Sequence, residues 1–187
     1  MIEDNQERIK QAEERENWKC IVWNIRGWGG KQDGIKKIKK IKSEIEGYDI
    51  VILTETHLDT DEEEIKKMGR YLQEYNTYNV HDKHKPAARN GVTIYVKKKI
   101  TEIENIEIRT DEGEKEEGRW IRLRIEKSLD KVINIWGIYA PTNAKYRQEW
   151  LKKLGKEIAK DSGHKLIAAG FQLHNESKIR QERRKKK

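Results

Sequence analysis

Asp49-Ile-Val-Ile-Leu-Thr-Glu-Thr-His57 is the stretch from which the rest of the chain can be read. Ile50 to Leu53 are four apolar residues in a row, three of them β-branched. Such a run, bounded by turn signals, predicts a strand covered on both faces. The run ends at an acid, Glu55. In α/β sheets, functional groups stand just past the carboxyl ends of strands, where the sheet edge opens into a crevice. A carboxylate there must be solvated, paired or bound to a cation. A neighbouring Lys or Arg would satisfy it as well as a metal would.

Upstream, Trp18-Lys-Cys-Ile-Val-Trp-Asn24 reads as a strand ended by Asn24-Ile-Arg-Gly27. Ile35, Ile38, Ile41 and Ile45 then recur near helical spacing, with Lys36, Lys37, Lys39, Lys40 and Lys42 between them. This predicts an amphipathic helix with a solvated Lys face, stopped at Gly47. Strand, helix and strand over this length make a βαβ unit.

Downstream, Asp59 to Glu64 suits a short helix N-terminus, running to about Tyr71. Strands are expected over 75–80, 92–96, 103–108, 120–125 and 131–139. Arg89-Asn-Gly91 is a turn signal, and Asp111 to Gly118 an acidic loop. In Trp120-Ile-Arg-Leu-Arg-Ile125, the apolar residues Ile121, Leu123 and Ile125 face opposite to Arg122 and Arg124. A helix over Ala144 to Lys160 carries Trp150, Leu151, Leu154 and Ile158 on one side, and Lys165 to Ala169 forms a last strand. The middle strands follow one another without helices, whereas both ends alternate. That order predicts two packed sheets flanked by helices.

Residues 1–17 read as a polar leader, helical or disordered, residues 18–172 as one domain, and 173–187 as a basic tail. Charged residues make up 40% of the chain, against a usual ~25%, so the surface must be almost wholly charged. Six of the eight net positive charges lie in Lys178 to Lys187, and the body is nearly balanced. A nucleic-acid footprint therefore cannot be read from pI. Arg183-Arg-Lys-Lys-Lys187 has the composition of a nuclear-localisation or polyanion-binding run, and equally of a solubilising end. The lone cysteine, Cys20, allows no internal disulfide. No segment has the apolar length of a membrane span or a signal core. The expectation is an intracellular chain, with nuclear location if the tail acts as an address.

Polar groups stand at several strand ends: Asn24, Glu55, Asn90 and Tyr139. Each has an ordinary explanation. Asn24 could cap a turn, Asn90-Gly91 is a hairpin-type turn, and Tyr139 could be an edge aromatic with a wet hydroxyl. Taken in order, the motifs Asn24-Ile-Arg-Gly27, Thr54-Glu-Thr-His57, Arg89-Asn-Gly-Val92, Gly118-Arg119 and Ile138-Tyr-Ala-Pro-Thr142 resemble the endonuclease/exonuclease/phosphatase superfamily. Their spelling is most similar to the abasic-type endonuclease domain of non-LTR retrotransposons, over about Trp18 to Gln172. The resemblance implies an α/β (α+β) four-layer sandwich of two mixed sheets flanked by helices. It also implies Mg²⁺-dependent phosphodiester cleavage on DNA. Glu55 would then be the metal ligand with Asn24 assisting, and Tyr139 would donate to or polarise the phosphate. Arg89, Asn90 and Asn143 would contact substrate, and His57 would lie near the site without being the base. A hard cation that keeps several waters suits one carboxylate with amide help.

The pattern breaks at Ala169-Gly-Phe-Gln172, where the family has Gly-Asp-Phe-Asn. Gly170 replaces the Asp and cannot orient or protonate anything. Gln172 replaces the Asn and carries its amide one methylene further out. The family's terminal Asp-His pair has no counterpart after Gln172, and His174 is too early to serve. The resemblance thus implies a sandwich truncated at its C-terminus and a catalytic set that is lost or much weakened. The alternative is a non-enzymatic nucleic-acid-binding or nuclear protein acting through the basic tail.

Overall fold

The computed structural model describes residues 18–28, 31–58, 70–82, 90–101, 105–111, 118–128 and 131–170. Two four-stranded sheets form the centre. The first contains β1 (Cys20–Asn24), β2 (Ile50–Thr54), β3 (Tyr75–Val80) and β4 (Val92–Lys97), in the order β1-β2-β4-β3. The second contains β5 (Asn105–Thr110), β6 (Trp120–Ser128), β7 (Lys131–Tyr139) and β8 (His164–Gly170), in chain order. Both are mixed. The pairs β1–β2 and β7–β8 are parallel and the others antiparallel. The two parallel pairs are those whose crossings carry a long helix: α1 (Lys31–Ile45) and α3 (Ala144–Lys160). The short α2 (Lys98–Thr101) is not signalled by any periodicity.

The period-2 alternation of strands explains the layering. Ile50 and Ile52 of β2, with Val92 and Ile94 of β4, face the second sheet and pack with its Ile121, Leu123, Ile125 and Ile135. Val51 and Leu53, one residue out of phase, face α1 and pack on Ile38, Ile41 and Ile45. All five residues of β2 are buried, which is why the stretch reads as an unbroken apolar run. On the opposite side, Trp150 and Leu154 of α3 cover Trp136 and Ile138. The layers are therefore α1, first sheet, second sheet and α3, as the element order predicted. Gly137 lies in the inter-sheet layer, where a Cβ would come within 3.1 Å of Ile52 and 2.9 Å of Val92. Its missing side chain lets the sheets approach.

Arg122 does face opposite to Ile121 and Leu123, but that face is not solvent. The end of α3 covers it, and Arg122 is only 4% exposed. Its guanidinium pairs with Asp161 at 2.5 Å, the C-cap of α3, whose other oxygen accepts from the Trp136 indole at 2.9 Å. A buried ion pair of this kind needs such extra hydrogen bonds to offset its desolvation.

Candidate functional site

One end of the sandwich gathers the candidate polar groups because of strand direction. The parallel pair β1–β2 brings Asn24 beside Thr54. The antiparallel pairing of β2 with β4 sets Val92 opposite Thr54, so Asn90 and Gly91 arrive at the same end. Tyr139 and Gly170 are register partners at the ends of the parallel strands β7 and β8.

Beyond the ladder, the backbone keeps its pairing. Gly27 N donates to Glu55 O at 2.5 Å and Trp28 N to Thr56 O at 3.2 Å. From the other side, Thr56 N donates to Gly91 O and His57 N to Asn90 O, at 3.2 and 3.1 Å. Gly91 N in turn donates to Gly118 O at 2.9 Å, which ties this end of the first sheet to the start of β6 in the second.

Among the described residues, four non-glycine residues have positive φ: Arg26, Glu55, His57 and Asn90. All four stand at this end. Such a conformation costs of order 1 kcal/mol or more for a residue with a Cβ, and it persists only where the surroundings over-determine it. Strain of this kind clusters at functional sites. The hydrogen bonds just described are what hold it.

Glu55 is 5% exposed, and its carboxylate accepts a hydrogen bond from the Tyr139 hydroxyl. Burial pushes the Tyr139 phenol well above its ordinary range, and the Glu55 carboxylate adds to this, with Arg119 opposing. Tyr139 therefore stays protonated, a donor. The Arg119 guanidinium lies over its ring, 5.7 Å from the centroid, in cation–π range. Arg119 is placed by Asp111, whose two oxygens accept from Gly118 N at 2.9 Å and Arg119 N at 2.7 Å. The acidic loop thus contributes a buried structural acid, which nothing in its composition distinguished from the acids around it.

Asn24 Oδ1 accepts from Arg26 N at 3.0 Å, so its oxygen closes the turn after β1. The imidazole of His57 lies against Gly27, where a Cβ would meet Nδ1 at 2.9 Å. Burial lowers the His57 pKa, Glu55 opposes this, and the Lys37 ammonium reinforces it. Asn90 is buried, and its carbonyl anchors His57. Asn143 is exposed and caps α3 by accepting from Tyr146 N at 3.0 Å. Gly170 is buried, and a Cβ on it would collide with the Thr54 side chain. Arg89, Gln172, His174 and the basic run Arg183, Arg184, Lys185, Lys186 and Lys187 lie outside the described residues.

Among the described residues, no group of three or more His, Cys, Asp or Glu side chains could hold a metal ion. The Glu55 carboxylate and the Asn24 amide oxygen, at the ends of the paired strands β2 and β1, are hard oxygens. They fit a cation that keeps most of its own waters, as Mg²⁺ does. They supply none of the His or Cys donors that zinc sites are mostly built from.

Two stacked mixed sheets, flanked by helices and carrying polar groups at one shared end, define an α+β sandwich of the endonuclease/exonuclease/phosphatase type. Solved structures share it. An endonuclease/exonuclease/phosphatase from Bacteroides vulgatus superposes with a TM-score of 0.60 at 16% identity, over 87% of this chain and 68% of its own. The AP endonuclease of Leishmania major matches with a TM-score of 0.57 at 20% identity, over 75% of this chain and 47% of its own. TDP2 from C. elegans matches with a TM-score of 0.51 at 18% identity, over 87% of this chain and 52% of its own. The chain spans about half the length of the last two. Likeness at these identities establishes the fold. No protein-family model and no curated protein matches the chain. Among the described residues, no helix is long and apolar enough to cross a membrane.

Proposed function

We propose that this chain binds a phosphodiester of DNA at the sandwich end around Glu55 and Tyr139, with Mg²⁺ as its cation, and that turnover is lost or much weakened. The observation that carries the reading is the buried Glu55 carboxylate in a left-handed backbone, clasped by Tyr139 from the opposite sheet. The solved neighbours include an AP endonuclease, and the strand-end motifs resemble the retrotransposon endonuclease domain. Both favour a nucleic-acid substrate over a small phosphate ester.

Glu55 and Asn24 would hold the cation, which when bound would offset charge on phosphoryl oxygens. Tyr139, kept protonated, would turn its one O–H from Glu55 to a phosphate oxygen as a hydrogen bond. Arg119, held by Asp111, fixes the Tyr139 ring and adds positive charge behind it. Nothing at Gly170 can orient a water or carry a proton, and Thr54 fills the space a side chain there would need. Loss of one such group removes orders of magnitude in rate.

The test is to incubate the purified chain with supercoiled plasmid and an abasic-site duplex, with Mg²⁺ or EDTA, beside Glu55→Ala. Magnesium-dependent nicking that Glu55→Ala loses would overturn the weakened-turnover reading. Calorimetry should show Mg²⁺ binding that Glu55→Ala abolishes, and its absence would overturn the metal assignment.

A second reading rests on the concentration of net charge in residues 178–187. In it the chain is a non-enzymatic nucleic-acid-binding or nuclear protein acting through that run. Neutralising Arg183 to Lys187 would then abolish DNA binding and nuclear accumulation while Glu55→Ala leaves both intact.

A further inference from the structure

The exposed face of α1 carries Lys36, Lys39, Lys40 and Lys42. Among the described lysines, Lys97 and Lys99 meet Asp49, and Lys160 meets Glu157. No described acidic side chain pairs with these four. Lys36 repels Lys39 and Lys40, and Lys39 repels Lys42, at helical spacings where like charges destabilise. The helix holds this repulsion because Ile38, Ile41 and Ile45 are buried beneath it.

Two features give the face a beginning and an end. At the site end, half-buried Lys37 donates to Gly27 O, in the same loop that hydrogen-bonds Glu55. At the far end, Lys42 joins Arg70, Tyr71, Gln73 and Glu74 around an open cleft of about 350 Å³. Two cations, an amide and a half-buried aromatic ring, set against one acid, form a lining suited to phosphate and a stacked base.

We infer that the lysine face of α1 is a track for the phosphate backbone of a nucleic-acid strand, running from the Gly27 loop to the Lys42–Arg70–Tyr71 cleft. From Lys36 to Lys42 the helix rises about 9 Å at 1.5 Å per residue, one to two phosphate-to-phosphate steps, before the cleft continues the track. The inference deepens the proposed function by making the substrate a polymer held away from the reacting bond. It rests on that reading only for what lies at the head of the track.

The test measures binding of a fluorescent single-stranded oligonucleotide and its duplex by anisotropy across salt concentration, using the full chain. The comparison variant is Lys36→Gln/Lys39→Gln/Lys40→Gln/Lys42→Gln, which keeps helix propensity, with circular dichroism checking its fold. A second variant neutralises Arg183 to Lys187. The slope of log affinity against log salt should fall by about 0.7 to 0.9 for each phosphate that the helix variant no longer neutralises, with affinity down roughly tenfold or more. Tyr71→Ala should weaken single-strand binding by roughly fivefold and leave the salt slope unchanged. If the helix variant matches the parent in slope and affinity, or if only the tail variant loses binding, the track is refuted. If Tyr71→Ala binds as the parent does, the cleft is not part of it. Nicking and Mg²⁺ binding in the Glu55→Ala experiment are separate readouts, so failure of one reading does not mimic failure of the other.

Discussion

The hydroxyl of Tyr139 donates to the carboxylate of Glu55 across the gap between the two sheets, joining residues 84 positions apart in the chain. It is a side-chain link between sheets at the end where the candidate polar residues stand. The backbone bond from Gly91 to Gly118 lies at the same end. The site is therefore also a structural clasp.

Tyr139→Phe removes the hydroxyl and keeps the ring under Arg119. The buried Glu55 carboxylate then loses a donor, and hydrogen bonds to charged groups contribute about 1.5–3 kcal/mol. Urea denaturation should show a loss of that order. A loss below roughly 0.5 kcal/mol would mean that water replaces the hydroxyl freely and that the clasp does not hold the sheets.

Gly170→Ala should destabilise by about 1–3 kcal/mol, the cost of overpacking a filled space, because the new Cβ runs into Thr54. Thr54→Ala removes the obstructing atoms, so the double variant should be more stable than the sum of the two single losses. Strict additivity in a double-mutant cycle would show that the two positions do not compete for space.

Acid stability should depend on Asp49. Burial pushes its pKa up, but the Lys19 N–H at 3.0 Å and the ammonium groups of Lys99 and Lys97 outweigh this, and the net shift is downward from 3.8. The unfolded chain binds the proton more tightly, so the stabilisation is present above 3.8 and is lost as pH falls through the depressed folded value. Asp49→Asn should flatten the acid limb of a stability-against-pH curve below about pH 4. An unchanged acid limb would assign that limb to other carboxylates.

Asp161→Ala removes the buried partner of the Arg122 guanidinium, leaving it only the more exposed Glu107 at 2.9 Å, and takes the acceptor from the Trp136 indole. Breaking a buried pair from one side costs about 3–5 kcal/mol. The double variant Arg122→Met/Asp161→Leu should recover most of this, because an apolar pair of similar volume leaves no uncompensated charge. Thermal unfolding of the three variants checks it. A double variant no better than Asp161→Ala would mean the pair specifies the α3 docking geometry.

Residues 50–53, 75–80, 92–96, 131–139 and 144–160 could be placed from the chain alone. Their periodicity, turn glycines and caps are local, and the tertiary fold did not override them. The two-sheet order followed from helices being absent in the middle and present at both ends. Glu55, Asn24 and Tyr139 could be singled out because each stands where a strand ends, and Asn90 because it lies in the turn before one.

The tertiary structure decided what these residues do to one another. Sequence order cannot show that Tyr139 reaches Glu55, since that depends on which sheet faces which and on Gly137 letting them close. Asp111 looked like any acid of a polar loop until the ends of β5 and β6 came together and left two buried N–H groups for it to satisfy. Alternation put Arg122 opposite Ile121 and Leu123, and only packing showed that the cap of α3 folds over it. Local propensity and alternation are written along the chain. Burial and pairing are set by neighbours tens of residues away, and only packing reveals them.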